Sequence, residues 1–159
     1  MSVPSVEAVL VTLGVAALPI SELRGAIPLA IAGYDMAWPL AYGLSVLGNL
    51  APVIAILLLL DHVVALFSRL EPFDRLFAWL FARTRRRFSA TVERFGAVAL
   101  VLVVAVPLPV TGAWTGSLIA FLYGVPVGRA FSLIAVGVLI AGVVVTLSTL
   151  GVIEVVGVA

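Results

Sequence analysis

Glu22 and Arg24 stand two residues apart in ALPISELRGAIPLA, residues 17 to 30, bracketed by Pro19 and Pro28 in a chain poor in charge. A carboxylate can take up and release a proton, and a guanidinium can hold an anion or neutralise that carboxylate. In apolar surroundings both groups are costly, so such a pair marks a substrate or proton path unless it merely ends a span at the interface. In a continuous helix the two side chains would point about 200° apart and could not meet. Pro28 also lacks the N–H that would bond the Arg24 carbonyl, and its ring clashes there. The sequence therefore predicts an interruption near Gly25 and a new half-helix from about Ala26, with Pro28 in its first turn. That start leaves backbone N–H groups free at the positive end of a helix dipole.

A second stretch, PLPVTGAWTG from residue 107 to 116, repeats the device without charge. Here Thr111 is the expected N-cap, Gly112 lets the chain turn, and Ala113, Trp114 and Thr115 begin the next arm. Two half-helix N-termini converging beside Arg24 would attract an anion, while Glu22 would neutralise Arg24 in the empty site and carry the proton. Trp114 reads equally as a site residue or a membrane-belt residue. Asn49, between Gly48 and Pro52 in an apolar run, needs a hydrogen-bond partner and either packs helices or lines the site. The expected substrate-binding set is Glu22, Arg24, Asn49, Thr111, Trp114 and Thr115, with Glu22 also coupling protons. Asp61 and His62 read as interfacial residues.

The elements that must position these groups lie in a membrane. Hydrophobic residues make up 64% of the chain and charged residues 11%, against about 45–50% and 25% in soluble domains. The 159 residues make one membrane domain with no basic signal-peptide start. Cysteine is absent, there is one histidine, and net charge is +1. No metal-ligand spacing, nucleophile–base set or phosphate loop occurs, so no enzyme, metal, cofactor or nucleic-acid partner is expected. Met36–Leu60 and Ala130–Ile153 are charge-free and long enough to span. Ala8–Leu18, Gly25–Tyr34, Phe95–Val106 and Ala113–Tyr123 are too short, which suits re-entrant half-helices.

The order of short arm, Pro-bounded break, short arm, Gly/Pro turn and long helix occurs twice, about 90 residues apart. An odd number of crossings per unit makes the copies inverted, the pattern of secondary transporters. The expected fold is thus an all-α integral membrane protein of two inverted repeats (1–62 and 95–159). Each repeat is a re-entrant helical hairpin plus one transmembrane helix. Residues 63–94 join them as an amphipathic surface helix holding seven arginines, Arg69 to Arg94. The positive-inside rule puts that helix in the cytoplasm and both termini outside.

ELRGAIPLAI, LGNLAPV, RFGAVAL and PLPVTGAWTG together resemble the prokaryotic small multidrug export protein family over nearly the whole chain. That family is similar, distantly, to the DedA (SNARE-associated/VTT) membrane proteins. The resemblance implies two re-entrant hairpins and transport, and for DedA relatives the movement of phosphorylated lipid carriers with proton coupling. Its motif falls on Glu22, Arg24, Gly25, Pro28, Gly48, Asn49 and Pro52, then on Pro107, Pro109, Thr111, Gly112, Trp114 and Gly116. PLPVTGAWTG departs from the DedA pattern in having no arginine, which weakens a phosphate clamp from both sides. The expectation is a proton-coupled transporter or lipid-carrier flippase of a prokaryotic cell membrane. Its partners would be membrane lipids and a small-molecule or phosphorylated lipid substrate, and the thin bundle suggests a homodimer. The alternative is a non-transporting scaffold with structural hairpins. A channel is disfavoured because no polar ladder lines either long helix.

Overall fold

Ser5 opens the first helix, α1 (Val6–Ala17), by accepting the Ala8 N–H on its hydroxyl at 3.1 Å. The computed structural model describes residues 4–106 and 111–157, so Pro107 and Pro109 lie outside the described residues. Helix α1 stops where Leu18 turns extended, the conformation favoured before a proline. After Pro19–Ser21 the chain re-enters helix as α2 (Glu22–Pro28), which continues into a π-helical turn over Leu29–Gly33. The break therefore falls earlier than the interruption expected near Gly25, and Pro28 ends α2 instead of opening a half-helix. Pro19 denies Leu18 the helical conformation, whereas the missing N–H and the ring of Pro28 coincide with a widening of the following turn to i→i+5 bonding.

Helix α3 (Trp38–Phe67) begins with Pro39 in its first turn, a position where the absent N–H costs nothing. It runs past Asp61 and His62, which are exposed near its end. Three residues lead to α4 (Glu71–Phe95), whose first turn carries Glu71 and Asp74 against the helix dipole. A single 3-10 turn over Gly96–Val98 joins it to α5 (Ala99–Ala105). Then follow α6 (Ala113–Leu122) and α7 (Val127–Val156), which closes on Gly157 in the left-handed region.

Three helical stretches are long and apolar enough to cross a membrane: Trp38–Phe67, Glu71–Ala105 and Val127–Val155. The sequence pointed to two. The third arises because the charged α4 runs through a single 3-10 turn into the apolar α5 with no loop between. Gly96 sits at φ 55°, ψ −140°, outside any helical conformation, so the two parts meet at a bend that glycine tolerates.

Packing follows a repeated plan. Helix α1 lies on α3 as α5 lies on α7, α2 crosses to α7 as α6 crosses to α3, and α3 meets α7 in the centre. A Cβ at Gly48 would stand 2.6 Å from the Leu13 carbonyl oxygen, and one at Gly137 would stand 3.1 Å from that of Val101. In each half a glycine of the long helix thus lets the first arm approach backbone to backbone. Ile27, Val53, Leu100, Ile119, Ile134 and Val138 fill the core, while Leu47, Leu58, Val143 and Leu147 face outward from the bundle.

Candidate functional site

The two breaks meet, and each satisfies backbone groups that the other leaves open. Helix α6 has no side-chain cap of its own: its N-cap is Gly112, at φ 137° and ψ −167°. The expected cap, Thr111, instead donates its hydroxyl to the Val106 carbonyl at 2.8 Å. The anion at the α6 N-terminus is the carboxylate of Glu22, which accepts the backbone N–H groups of Ala113 and Trp114. A Cβ on Gly112 would fall on top of both carboxylate oxygens. Glycine is therefore required at 112 twice over, by its backbone conformation and by the side chain lying against it.

Glu22 reaches this position from the first residue of α2, with a left-handed backbone (φ 45°) that is unusual for a non-glycine residue. It is 5% exposed. Arg24 completes the junction, donating from Nη2 to the Thr111 carbonyl at 2.5 Å and lying 3.8 Å from Glu22 Oε2. The two side chains that a straight helix would separate are brought together because α2 starts at Glu22. Trp114 returns the exchange: its indole N–H donates to the Ala17 carbonyl at 3.2 Å, one of the last-turn carbonyls of α1 that no helical N–H reaches. Within its own break, Ser21 donates to the Val15 carbonyl at 2.6 Å.

Behind this junction lies a small cavity whose lining includes Glu22, Arg24, Asn49, Val104, Ala141 and Val145. The space open to a water's centre is about 10 Å³, roughly what one water needs. Asn49 is 1% exposed and its Oδ1 has no partner among the described residues. Asn49 lies in the middle part of α3, and Ala141 and Val145 lie in the middle part of α7. Thr111, Trp114 and Thr115 are not among the cavity-lining residues: Thr111 and Trp114 hold the junction from outside, and Thr115 is half-buried on α6.

On its other side Arg24 borders an open cleft of about 450 Å³ between α2 and the second half of α7. Its walls are Pro28, Ala32, Val144 and Val152, with Ser148 and Thr149 as the polar residues besides Arg24. Both hydroxyls donate to carbonyls one turn back, at 2.8 Å, so their oxygens remain as acceptors. Apolar walls with one cation suit a ligand that joins a hydrocarbon body to an anionic head. Sequence reading missed Ser148 and Thr149, although adjacent hydroxyls in an otherwise apolar span are a legible signal.

The anion site expected at two open N-termini is thus filled from within, since the sole buried carboxylate among the described residues already occupies the α6 end. A family model described as "Putative small multi-drug export protein" matches residues 22–144, from Glu22 itself to the middle of α7. No curated protein and no solved structure matches the chain.

Proposed function

The chain belongs to the small multi-drug export protein family, and from that premise we propose that it is a proton-coupled secondary transporter whose site is the junction of two re-entrant hairpins. The observation that carries this reading is the internal carboxylate at the α6 N-terminus. Glu22 occupies the place where a substrate anion would bind, with Arg24 as counter-ion on one side and an open cleft beyond it. Protonation of Glu22 removes the charge that holds two backbone N–H groups and Arg24. Those donors then become available to the head group of an acidic amphiphile, such as a phosphorylated lipid carrier or an anionic drug, whose hydrocarbon part lies along Val144 and Val152. Proton and anion therefore ride together, and release of both restores the internal pair.

Several features support the two-repeat, alternating arrangement. The long helices begin about 90 residues apart, as do α2 and α6. Gly48 and Gly137 play matching roles against α1 and α5. Helices α1 and α6 are each too short to cross about 30 Å of hydrocarbon. The cavity residues near the middle of α3 and α7 favour a midplane position, as in transporters built on broken helices. The arginine-rich α4 favours the cytoplasmic side for that helix.

A second reading has one observation in its favour: the bonds drawn above for Glu22 and Arg24 end on the protein's own groups, as they would in a scaffold. Glu22→Gln separates the two. The amide oxygen can still accept from Ala113 and Trp114, so a scaffold keeps its fold and cellular activity, but the residue can no longer cycle a proton. In proteoliposomes the wild type is expected to move a phosphorylated lipid or acidic drug faster under a pH gradient. Glu22→Gln should lose that gradient dependence, and Arg24→Gln should lose uptake. Transport by Glu22→Gln that responds to the gradient as wild type does would refute the coupling, and a wild type that moves neither substrate would favour the scaffold.

A further inference from the structure

Helix α4 carries a further, separate concavity, of about 330 Å³, lined by Trp79, Ala82, Arg83, Arg86 and Arg87. The Arg83 guanidinium lies over the Trp79 ring, 5.3 Å from its centroid. Trp79, Arg83 and Arg86 recur at helical spacing and so share one face. The opposite face is the one that packs inward. Thr84 and Phe88 are buried, Phe81 meets Phe121 of α6 at 5.6 Å, and Arg85 donates to the Leu122 carbonyl at 3.5 Å. The outer face holds a 57% exposed tryptophan, with Leu76, 52% exposed, one turn before it.

Charge along this part of the helix is unbalanced. Four arginines fall between residues 83 and 87, all but Arg85 away from the packed face, and the flanking acids are Asp74 and Glu93. Arg75 is paired with Glu71 at 3.4 Å, whereas Arg83 and Arg86 have no ion-pair partner among the described residues. A topogenic signal would need only the number of basic residues. It would not need them aligned on one face with a bare indole.

The place of the helix identifies the anion. Helix α3 ends at Phe67, α4 begins at Glu71, and its far end passes through one 3-10 turn into α5, which packs on α7. The arginine-rich part of α4 is tethered between two stretches apolar enough to cross a membrane, α3 and the one that runs from the end of α4 into α5, so it is held near the head groups, where the abundant anion is a lipid phosphate. We propose that Trp79, Arg83 and Arg86 bind the head group of an anionic phospholipid. The planar guanidiniums grip the phosphate, and Trp79 and Leu76 rest against the glycerol and upper acyl region. This site is independent of the Glu22 junction and of any transport reading.

The test uses the purified full chain in detergent, titrated with dioctanoyl phosphatidylglycerol and read by native mass spectrometry. Saturable binding is expected, weakened roughly fivefold by Arg83→Gln or Arg86→Gln and roughly 20- to 30-fold by both together. Arg75→Gln, outside this face's pocket and paired only with exposed Glu71, should bind as wild type does, and thermal unfolding without lipid should be the same for wild type, Arg83→Gln, Arg86→Gln and their double variant. Equal binding of dioctanoyl phosphatidylcholine would overturn the proposal. So would inorganic phosphate competing as well as the lipid, an acidic peptide displacing it, or loss of binding in Arg24→Gln but not in the double variant.

Discussion

Replacing Gly112 by alanine tests the junction at its most constrained atom. Two costs can be worked from the geometry. A residue with a Cβ at φ 137°, ψ −167° is strained by about 1–3 kcal/mol. The Cβ also takes the space of the Glu22 carboxylate, which must leave and give up two N–H bonds to a charged acceptor, worth about 1.5–3 kcal/mol each at most. With partial re-pairing, Gly112→Ala should cost about 4 kcal/mol in all. Glu22→Ala removes the same cap without the strain and should cost about 2.5 kcal/mol. Because the carboxylate can be lost only once, the double variant should cost about 4 kcal/mol instead of the additive ~6.5, a coupling of about 2.5 kcal/mol. Reversible unfolding of the four proteins in mixed detergent micelles measures the cycle. Gly128→Ala, where a Cβ meets open space, serves as the control. Additivity within about 0.5 kcal/mol would mean that Glu22 and Gly112 do not touch, and the account of the junction would be wrong.

Other substitutions probe the surrounding parts. Trp114→Phe keeps the ring but removes the donor to Ala17, and should lower stability by about 1 kcal/mol; an unchanged unfolding midpoint would argue against the bond. Gly48→Leu and Gly137→Leu should both abolish well-folded protein in size-exclusion profiles, since each side chain would enter the backbone of a neighbouring helix. If one is tolerated, the two halves do not pack alike. Asn49→Leu keeps the branched shape, with its larger methyl groups entering the adjoining cavity, and removes the unpaired oxygen, so stability should hold or rise by about 1 kcal/mol. A transport assay on that variant shows whether the cavity behind Glu22 serves the substrate, because a packing role alone predicts no loss.

What the sequence reveals here depends on whether the signal is local. Charge-free runs marked α3 and α7 because length and apolarity are properties of a single segment. The third candidate span stayed hidden because the arginines of α4 announce a change of environment, which does not require the helix to end. Pro28 looked like a breaker, yet a proline can be absorbed by a widened turn, whereas Pro19 acted through the residue before it. Thr111 is the right type for a cap, but Gly112 directs the chain so that a carboxylate about 90 residues away fills that role. The clue was negative: α6 begins at Gly-Ala-Trp with no capping side chain in place, and Glu22 was the one acid inside an apolar arm. Ser148 and Thr149 became relevant only once α2 was seen to lie across α7.

The mutual capping of the two breaks also bears on biogenesis. When α1, α2 and α3 have left the ribosome, Glu22 has no helix end to meet and Ala17 has no indole donor, because both partners are still untranslated. A nascent first half therefore holds the Glu22–Arg24 pair and open backbone groups without the partners that the second half supplies, a state with a strong tendency to slip back towards water or be held by insertion machinery. Commitment comes only when α6 arrives, so a chain cut short before residue 113 should be recognised by membrane proteases while the finished chain is spared.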